Sequence, residues 1–375
     1  MDTSKGTDRV DRPVSEDEER ENRSQALGAW LSSEGPFVLR LETEFAARVG
    51  RDHAIAVRDG STALDLAIAS LGIGRDDEVI LPTFTSVTTA TAIARTGAIL
   101  VFIDSDPLTW NLDVNRIEAK ITPKTRAILV THTYGWPVEM TPVLQLAEKY
   151  GLWTIEDAAE LHGQTYRGQP CGSFGDIATF CFYRDRLVTP GEGGIIVTDN
   201  ATLAERCRQL RDLSARSAAV LSGEETDRNP RMNNFQAALG FAHLERLEEF
   251  IARKRRIGEL YMELLADVPG LQLPISSTDR AENLYSVYGL VLLDGVPLDA
   301  REMTRQLVER GIETRPFFYP VHEQPEFREK SGSPGETFPV AERLYRRGFK
   351  IPSGTTLKDE QIVKVATAIQ QILSS

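Results

Sequence analysis

Apolar residues recur along this chain with two periods that take turns. Over residues 39–49, Leu41, Phe45, Ala46 and Val49 stand three or four apart, which predicts a helix with one buried stripe. The next apolar run, 53–57, is short and continuous and predicts a strand. A helix over 61–71 and a strand over 78–81, stopped at Pro82, follow in the same manner. The alternation continues with helices over 87–95, 115–120 and 140–150, and strands over 99–103, 126–131 and 153–155. Strands without polar alternation, set between helices, need cover on both faces, so the pattern predicts an α/β fold with a mostly parallel sheet. Two further runs, 177–183 and 194–198, predict neighbouring strands.

Beyond residue 234 the rhythm changes. Residues 234–264 read as one long helix that links a large domain to a smaller one. After it come expected strands over 287–293 and 311–316, and helices over 299–310, 341–347 and 358–373, an α+β pattern unlike the first half. The reading divides the chain into a large domain at 26–250 and a small C-terminal domain at 251–375. Residues 1–25 are charged and nearly free of large apolar side chains, which predicts a disordered arm.

Composition narrows the partners. With 375 residues, 41% apolar and 26% charged, the chain has the make-up of an ordinary globular protein with a substantial core. A net charge of −12 and the lack of a dense Lys/Arg stripe argue against nucleic acid. No apolar stretch reaches membrane-spanning length. The three cysteines, Cys171, Cys181 and Cys207, form no CxxC pair and fit a reducing cytoplasm. The five histidines are scattered, so no metal site is expected.

Candidate chemistry lies at the junctions between elements. Asp59, Gly60, Ser61 and Thr62 follow a strand and open a helix, where free amides and two hydroxyls make either a phosphate cradle or an ordinary helix start. Phe84 stands just past a strand end and reads as a core residue or as a ring that stacks on a ligand. Glu156 and Asp157 close an apolar strand, and a carboxylate there must meet a partner: the amides of a following helix, or a cationic ring nitrogen. Glu160, His162 and Gly163 follow.

These segments resemble the DegT/DnrJ/EryC1/StrS family of pyridoxal-phosphate (PLP) sugar aminotransferases. The resemblance runs from about Trp30 to about Ser353 and includes His132-Thr133-Tyr134-Gly135, Asn229-Pro230-Arg231-Met232 and Thr314-Arg315-Pro316 in the family order. It implies a fold-type-I aminotransferase-like large domain and a small C-terminal α+β domain. It further implies that Gly60, Ser61 and Thr62 hold the cofactor phosphate and that Phe84 stacks on its ring. Asp157 would pair with the ring nitrogen, with Glu160 beside it. Asn229 would reach the phosphate of the neighbouring subunit in a homodimer.

The departures cluster at the chemistry. In the segment from Phe180 to Gly194, Arg186 stands where the family has the cofactor lysine, and Cys181 replaces a phosphate-contacting serine. Trp136 and Pro230 also depart from the family pattern. A lysine amine condenses with an aldehyde, whereas a guanidinium stays charged and does not. Lys124, Lys149 and Lys254 fall outside the pocket motifs. The expectation is therefore PLP, or its amine form PMP, held non-covalently, with Arg186 orienting an anion and a nucleotide sugar or other keto sugar as substrate. A non-catalytic partner or regulatory subunit of an active homologue, in a heterodimer, is the alternative; an ordinary transaminase served by another lysine and an engineered Lys-to-Arg variant are the remaining readings. Loops at 214–227 and 317–323 would select the substrate, with Arg315 and His322 as contacts; for Arg315 a surface salt bridge is the simpler reading.

Overall fold

The computed structural model describes residues 27–213 and 229–374, apart from positions 29, 34, 333 and 334. The expected arm at 1–25 and the expected loop at 214–227 lie outside the described residues.

Helix α1 (Pro36–Val49) begins with proline in its first turn, buries Leu41, Phe45 and Val49, and ends on Gly50 at φ +74. It feeds β1 (His53–Val57), α2 (Gly60–Ser70) and β2 (Glu78–Pro82). Then come α3 (Val87–Arg95), β3 (Ile99–Ile103), β4 (Thr125–Thr131), α4 (Met140–Tyr150) and β5 (Trp153–Asp157). A small hairpin, β6 (Thr165–Tyr166) with β7 (Gln169–Pro170), precedes β8 (Ile177–Cys181), β9 (Gly194–Thr198) and α5 (Ala201–Leu213). The stretch expected as a helix over 115–120 is two separate 3₁₀ turns, Val114–Arg116 and Glu118–Lys120.

Seven of these strands form one sheet in the order β1-β9-β8-β5-β4-β2-β3. The pairs β2–β3, β2–β4, β4–β5 and β5–β8 are parallel, while β9 runs against both β8 and β1. Two apolar clusters cover opposite faces. One gathers Leu41, Phe45, Ile128 and Phe180, and the other Ile55, Ile68, Leu129 and Ile196. Adjacent residues of one strand therefore enter different cores, the reason that the strands read as continuous apolar runs.

The expected single helix over 234–264 is two, α6 (Asn234–Glu245) and α7 (Leu247–Leu265), joined at Arg246. Asn233 caps α6 in a reciprocal exchange with Gln236. Along α7, Leu247 and Ile251 belong to a core of the large sheet, whereas Ile257, Tyr261 and Leu265 belong to a third cluster. The region that follows comprises β10 (Leu271–Gln272), β11 (Tyr288–Leu292), α8 (Ala300–Glu309), β12 (Arg315–Pro316), α9 (Pro325–Arg328), α10 (Pro339–Arg347), β13 (Gly348–Ile351) and α11 (Asp359–Leu373), of which β11, α8, β13 and α11 supply buried residues of the third cluster. Its four-stranded sheet has the order β10-β11-β13-β12. Phe317, Val321, Phe327 and Phe338 leave this unit and pack into a core of the large sheet. Among the described residues, no helix is long and apolar enough to cross a membrane.

Candidate active site

Parallel strands bring their carboxyl ends to one edge of the sheet, where β1, β5 and β8 finish. Gly194 begins β9 at that same edge, paired with both Val57 and Cys181. The approach is close. A Cβ on Gly194 would lie 2.4 Å from the Asp59 carbonyl oxygen, and one on Gly60 would lie 2.6 Å from Cys181 Sγ. The two glycines let the start of α2 lie against the end of β8. Asp59 caps α2 by accepting from the Thr62 amide at 2.7 Å and pairs with Arg58 at 2.8 Å. Burial opposes its charge, but the Arg58 and Thr62 hydrogen bonds together hold the carboxyl below its usual range.

A cavity of about 920 Å³ opens at this edge, lined among others by Gly60, Ser61, Thr62, Asp157, Cys181 and Arg186. Asp157 accepts from Thr89 Oγ1 at 2.8 Å and from the Ala159 amide at 3.3 Å. Burial raises its pKa despite these bonds. A turn rather than a helix follows, so Asp157 is not a helix cap. Glu156 points to the other face. Its carboxylate takes the amides of Gly172, Phe174 and Gly175 at 2.7–2.9 Å and holds that turn. Strand alternation alone gives the two neighbours different duties. Burial also keeps Cys181 a neutral thiol, pushing its pKa up.

Arg186 lines this inner cavity and also a second, outer one of about 760 Å³. Its guanidinium lies 3.3 Å from Glu160 and 2.9 Å from Asp185. Desolvation works against the charge, but the two carboxylates outweigh it and keep the group cationic. Glu160 in turn accepts from the Tyr134 amide at 2.9 Å. Tyr134 adopts φ +56, a left-handed conformation costly for its residue type, and the Glu160 contact helps to hold it. Gly135 follows at φ +103, where a Cβ would meet the Ser286 amide at 2.7 Å.

Other expected site residues lie further out. Phe84, which the resemblance set against the cofactor ring, is fully buried among Tyr134, Phe317 and Phe318 and lines neither cavity, because these rings from other segments close over it. Asn229 accepts from the Arg231 amide at 3.3 Å and, through its carbonyl, from Arg58 at 3.2 Å. Arg315 stands at the outer cavity, 61% exposed and paired with Glu313 at 3.2 Å. His322 is elsewhere: it bonds Thr83 Oγ1 at 2.7 Å and faces a separate hollow with Glu323 and Glu342. The ligand atoms of those three residues lie within 4.8 Å of one another, a grouping that chain spacing did not reveal.

The lysine expectation needs correction. Lys254 lines the outer cavity although it lies in no pocket motif, and Lys350 lines it as well. Both come from elements of the C-terminal region that fold back over Arg186, which spacing along the chain does not disclose. Phe318 and Thr179 are further wall residues whose place only the fold reveals, and the Tyr134 hydroxyl accepts from the Phe318 amide at 3.3 Å.

The inner cavity has the features that a phosphorylated pyridine requires. Beyond the Asp157 carboxylate, the first amides of α2 face it, and among the described residues the buried Thr179 hydroxyl and Arg186 Nε have no hydrogen-bond partner. It offers no amine for a covalent link at position 186.

Comparison with known proteins agrees with this geometry. Residues 13–370 match the DegT/DnrJ/EryC1/StrS aminotransferase family. GDP-perosamine synthase of Escherichia coli O157:H7 is 36% identical over 367 residues, 97% of this chain and 98% of its own length. The dTDP-3-amino-3,4,6-trideoxy-alpha-D-glucose transaminase of Streptomyces venezuelae is 35% identical over 342 residues, 90% of this chain and 87% of its own. Among solved structures, S. venezuelae DesV in complex with a ketimine intermediate superposes with a TM-score of 0.84 at 33% identity, covering 96% of this chain and 95% of DesV. The chain therefore belongs to the DegT/DnrJ/EryC1/StrS aminotransferase family, has its fold-type-I α/β architecture, and shares its PLP/PMP cofactor.

Proposed function

We propose that this protein is a biosynthetic enzyme that binds PLP or PMP in the inner cavity without a covalent bond at position 186 and acts on a nucleotide sugar or related keto sugar. The observation that carries the reading is Arg186 itself, a charged guanidinium shared by both cavities and held by Glu160 and Asp185. It cannot condense with an aldehyde, yet Asp157 remains buried, hydrogen-bonded and open to the cavity. A buried carboxylate without a cationic partner is costly, so its presence supports a bound pyridinium.

When bound, the cofactor supplies an electron sink and a carrier for an amino group. Asp157 would hold a protonated ring nitrogen. Ser61, Thr62 and the first amides of α2 would hold the phosphate, beside Gly60 and Cys181. Glu160 fixes Arg186, which steers an anionic group of the substrate across the boundary between the cavities. Phe84 and Tyr134 pack behind Phe318 at the outer cavity, and Arg315 stands at its rim. Asn229 joins the site of the second subunit in a homodimer.

An absorbance titration with PLP and with PMP tests this reading. Saturable binding of at least one cofactor is expected, and Asp157→Asn should weaken it by about tenfold to a hundredfold, the loss of one charge-assisted hydrogen bond. Absence of any binding to the folded protein would overturn the enzyme reading in favour of a non-catalytic partner subunit.

A further inference from the structure

Two lysines reach the outer cavity, and their surroundings differ. Lys254, 5% exposed on α7, donates to the carbonyl oxygens of Ser286 at 2.6 Å and Ser353 at 2.7 Å, and to Ser353 Oγ at 3.3 Å. All three donors are engaged, and the side chain ties α7 to the loops before β11 and after β13. It is a clamp. Burial lowers its pKa to about 8, but releasing the amine would break three hydrogen bonds and leave two carbonyls unpaired.

Lys350 is placed differently. It sits in β13, half-buried, between Gly289 of β11 and Arg315 of β12. Its Nζ lies 4.6 Å from the Tyr134 ring centroid and 4.5 Å from that of Phe318, rings that stack on each other at 5.2 Å. Among the described residues its ammonium has neither a carboxylate ion pair nor a hydrogen-bond acceptor. The two aromatic faces hold the ammonium by cation–π attraction and accept no hydrogen bond along a fixed line, so the nitrogen can move without stranding a buried acceptor. Tyr134 also connects it to the site, through the hydrogen bond that its backbone amide donates to Glu160 and from there to Arg186.

We propose that Lys350 is the reactive amine of the outer cavity and condenses with a carbonyl carbon presented beside Arg186. The lone pair of Nζ adds to that carbon and a C–N bond forms. The carbonyl oxygen then leaves as water, carrying away both amine hydrogens, as the C=N bond is completed. Nothing is oxidised or reduced. The chemistry needs a neutral amine, which a lowered pKa makes easier to reach. Burial lowers the Lys350 pKa, Glu160 and Asp185 oppose this, and Arg186 and Arg315 reinforce it. The carbonyl comes from the cofactor aldehyde or from the substrate, and the inference rests on the cofactor reading above only for what fills the inner cavity.

The test is borohydride trapping on the intact protein, followed by peptide mass mapping. One arm uses PLP as the carbonyl; the other uses glyceraldehyde with PMP filling the inner cavity. The Lys350 peptide should be labelled in at least one arm about tenfold faster than the exposed Lys149, with a rate that rises to its plateau at a lower pH. Lys350→Met should abolish that fast label and leave the far-ultraviolet circular dichroism unchanged. A label at Lys350 no faster than at Lys149 in both arms, or a fast label at Lys254 instead, would sink the proposal. PLP binding seen by absorbance without a Lys350 label overturns this inference and spares the cofactor reading; a Lys350 label by glyceraldehyde without any cofactor binding does the reverse.

Discussion

Arg186 stands between Glu160 and Asp185 with its side chain only 18% exposed, so a shorter cation at that position enters a site already shaped for positive charge. Arg186→Lys retains the cation and supplies an amine with a neutral form that can condense. The substituted protein is expected to gain a PLP adduct, fixed by borohydride, on the peptide containing position 186, where the parent protein has none. Mass mapping checks this, and an unlabelled peptide under saturating PLP would show that the lysine slot has been misassigned. At this scale much of the site was legible in the sequence. Gly60, Ser61, Thr62, Asp157, Cys181 and Arg186 do line one cavity. The family resemblance assigned Asp157, and not Glu156, to the site, and Asp157 is the one of the two that lines the cavity. Lys254 and Lys350 escaped because their neighbours across the cavity are far away in the chain.

Strands β5 and β8 owe their spacing to a turn that neither strand contains. Glu156, fully buried at the end of β5, collects three amides from residues 172–175 and also pairs with His132 at 3.2 Å. Arg51 braces the same turn by donating to the Gly172 carbonyl at 2.9 Å and to the Gly175 carbonyl. Removing that carboxylate strands several buried donors, so Glu156→Ala is expected to cost about 3–5 kcal/mol. Chemical denaturation measures this directly; a cost within about 1 kcal/mol would mean that the turn holds itself. Element boundaries were well anticipated wherever apolar periodicity was strong, as in α3, β3 and α4. The break between α6 and α7 was not, because Arg246 is a good helix former and the apolar pattern runs on through it. Strand β13 was missed for a similar reason: four residues carry too little pattern, and pairing with β11 and β12 makes them a strand.

The molecule as a whole is built to lose stability in acid. His162 lies buried against Phe45, Phe180 and Phe182, and burial together with the nearby Arg186 charge lowers its pKa to about 3. Between pH 6.5 and about 3 the unfolded chain binds a proton that the folded chain refuses, so stability falls as pH drops through that window. Glu156 acts in the same direction, its carboxyl held low by His132 and backbone amides against the cost of burial. Buried Asp157 and Glu42, raised by desolvation, pull the other way. Urea midpoints between pH 7 and 4 should fall in the parent and fall less steeply in His162→Phe, by up to about 1.4 kcal/mol per pH unit; parallel curves would remove His162 as a cause. By itself the sequence determined the alternation of helix and strand, the covered parallel sheet, the family and the residues at the strand ends, because each of these depends on local periodicity and short motifs. Tertiary structure alone decided what Glu156 holds, which lysines reach the cavity and how Arg186 is charged and held. These depend on distances and desolvation between segments remote in the chain, and such quantities exist only once the chain has closed on itself.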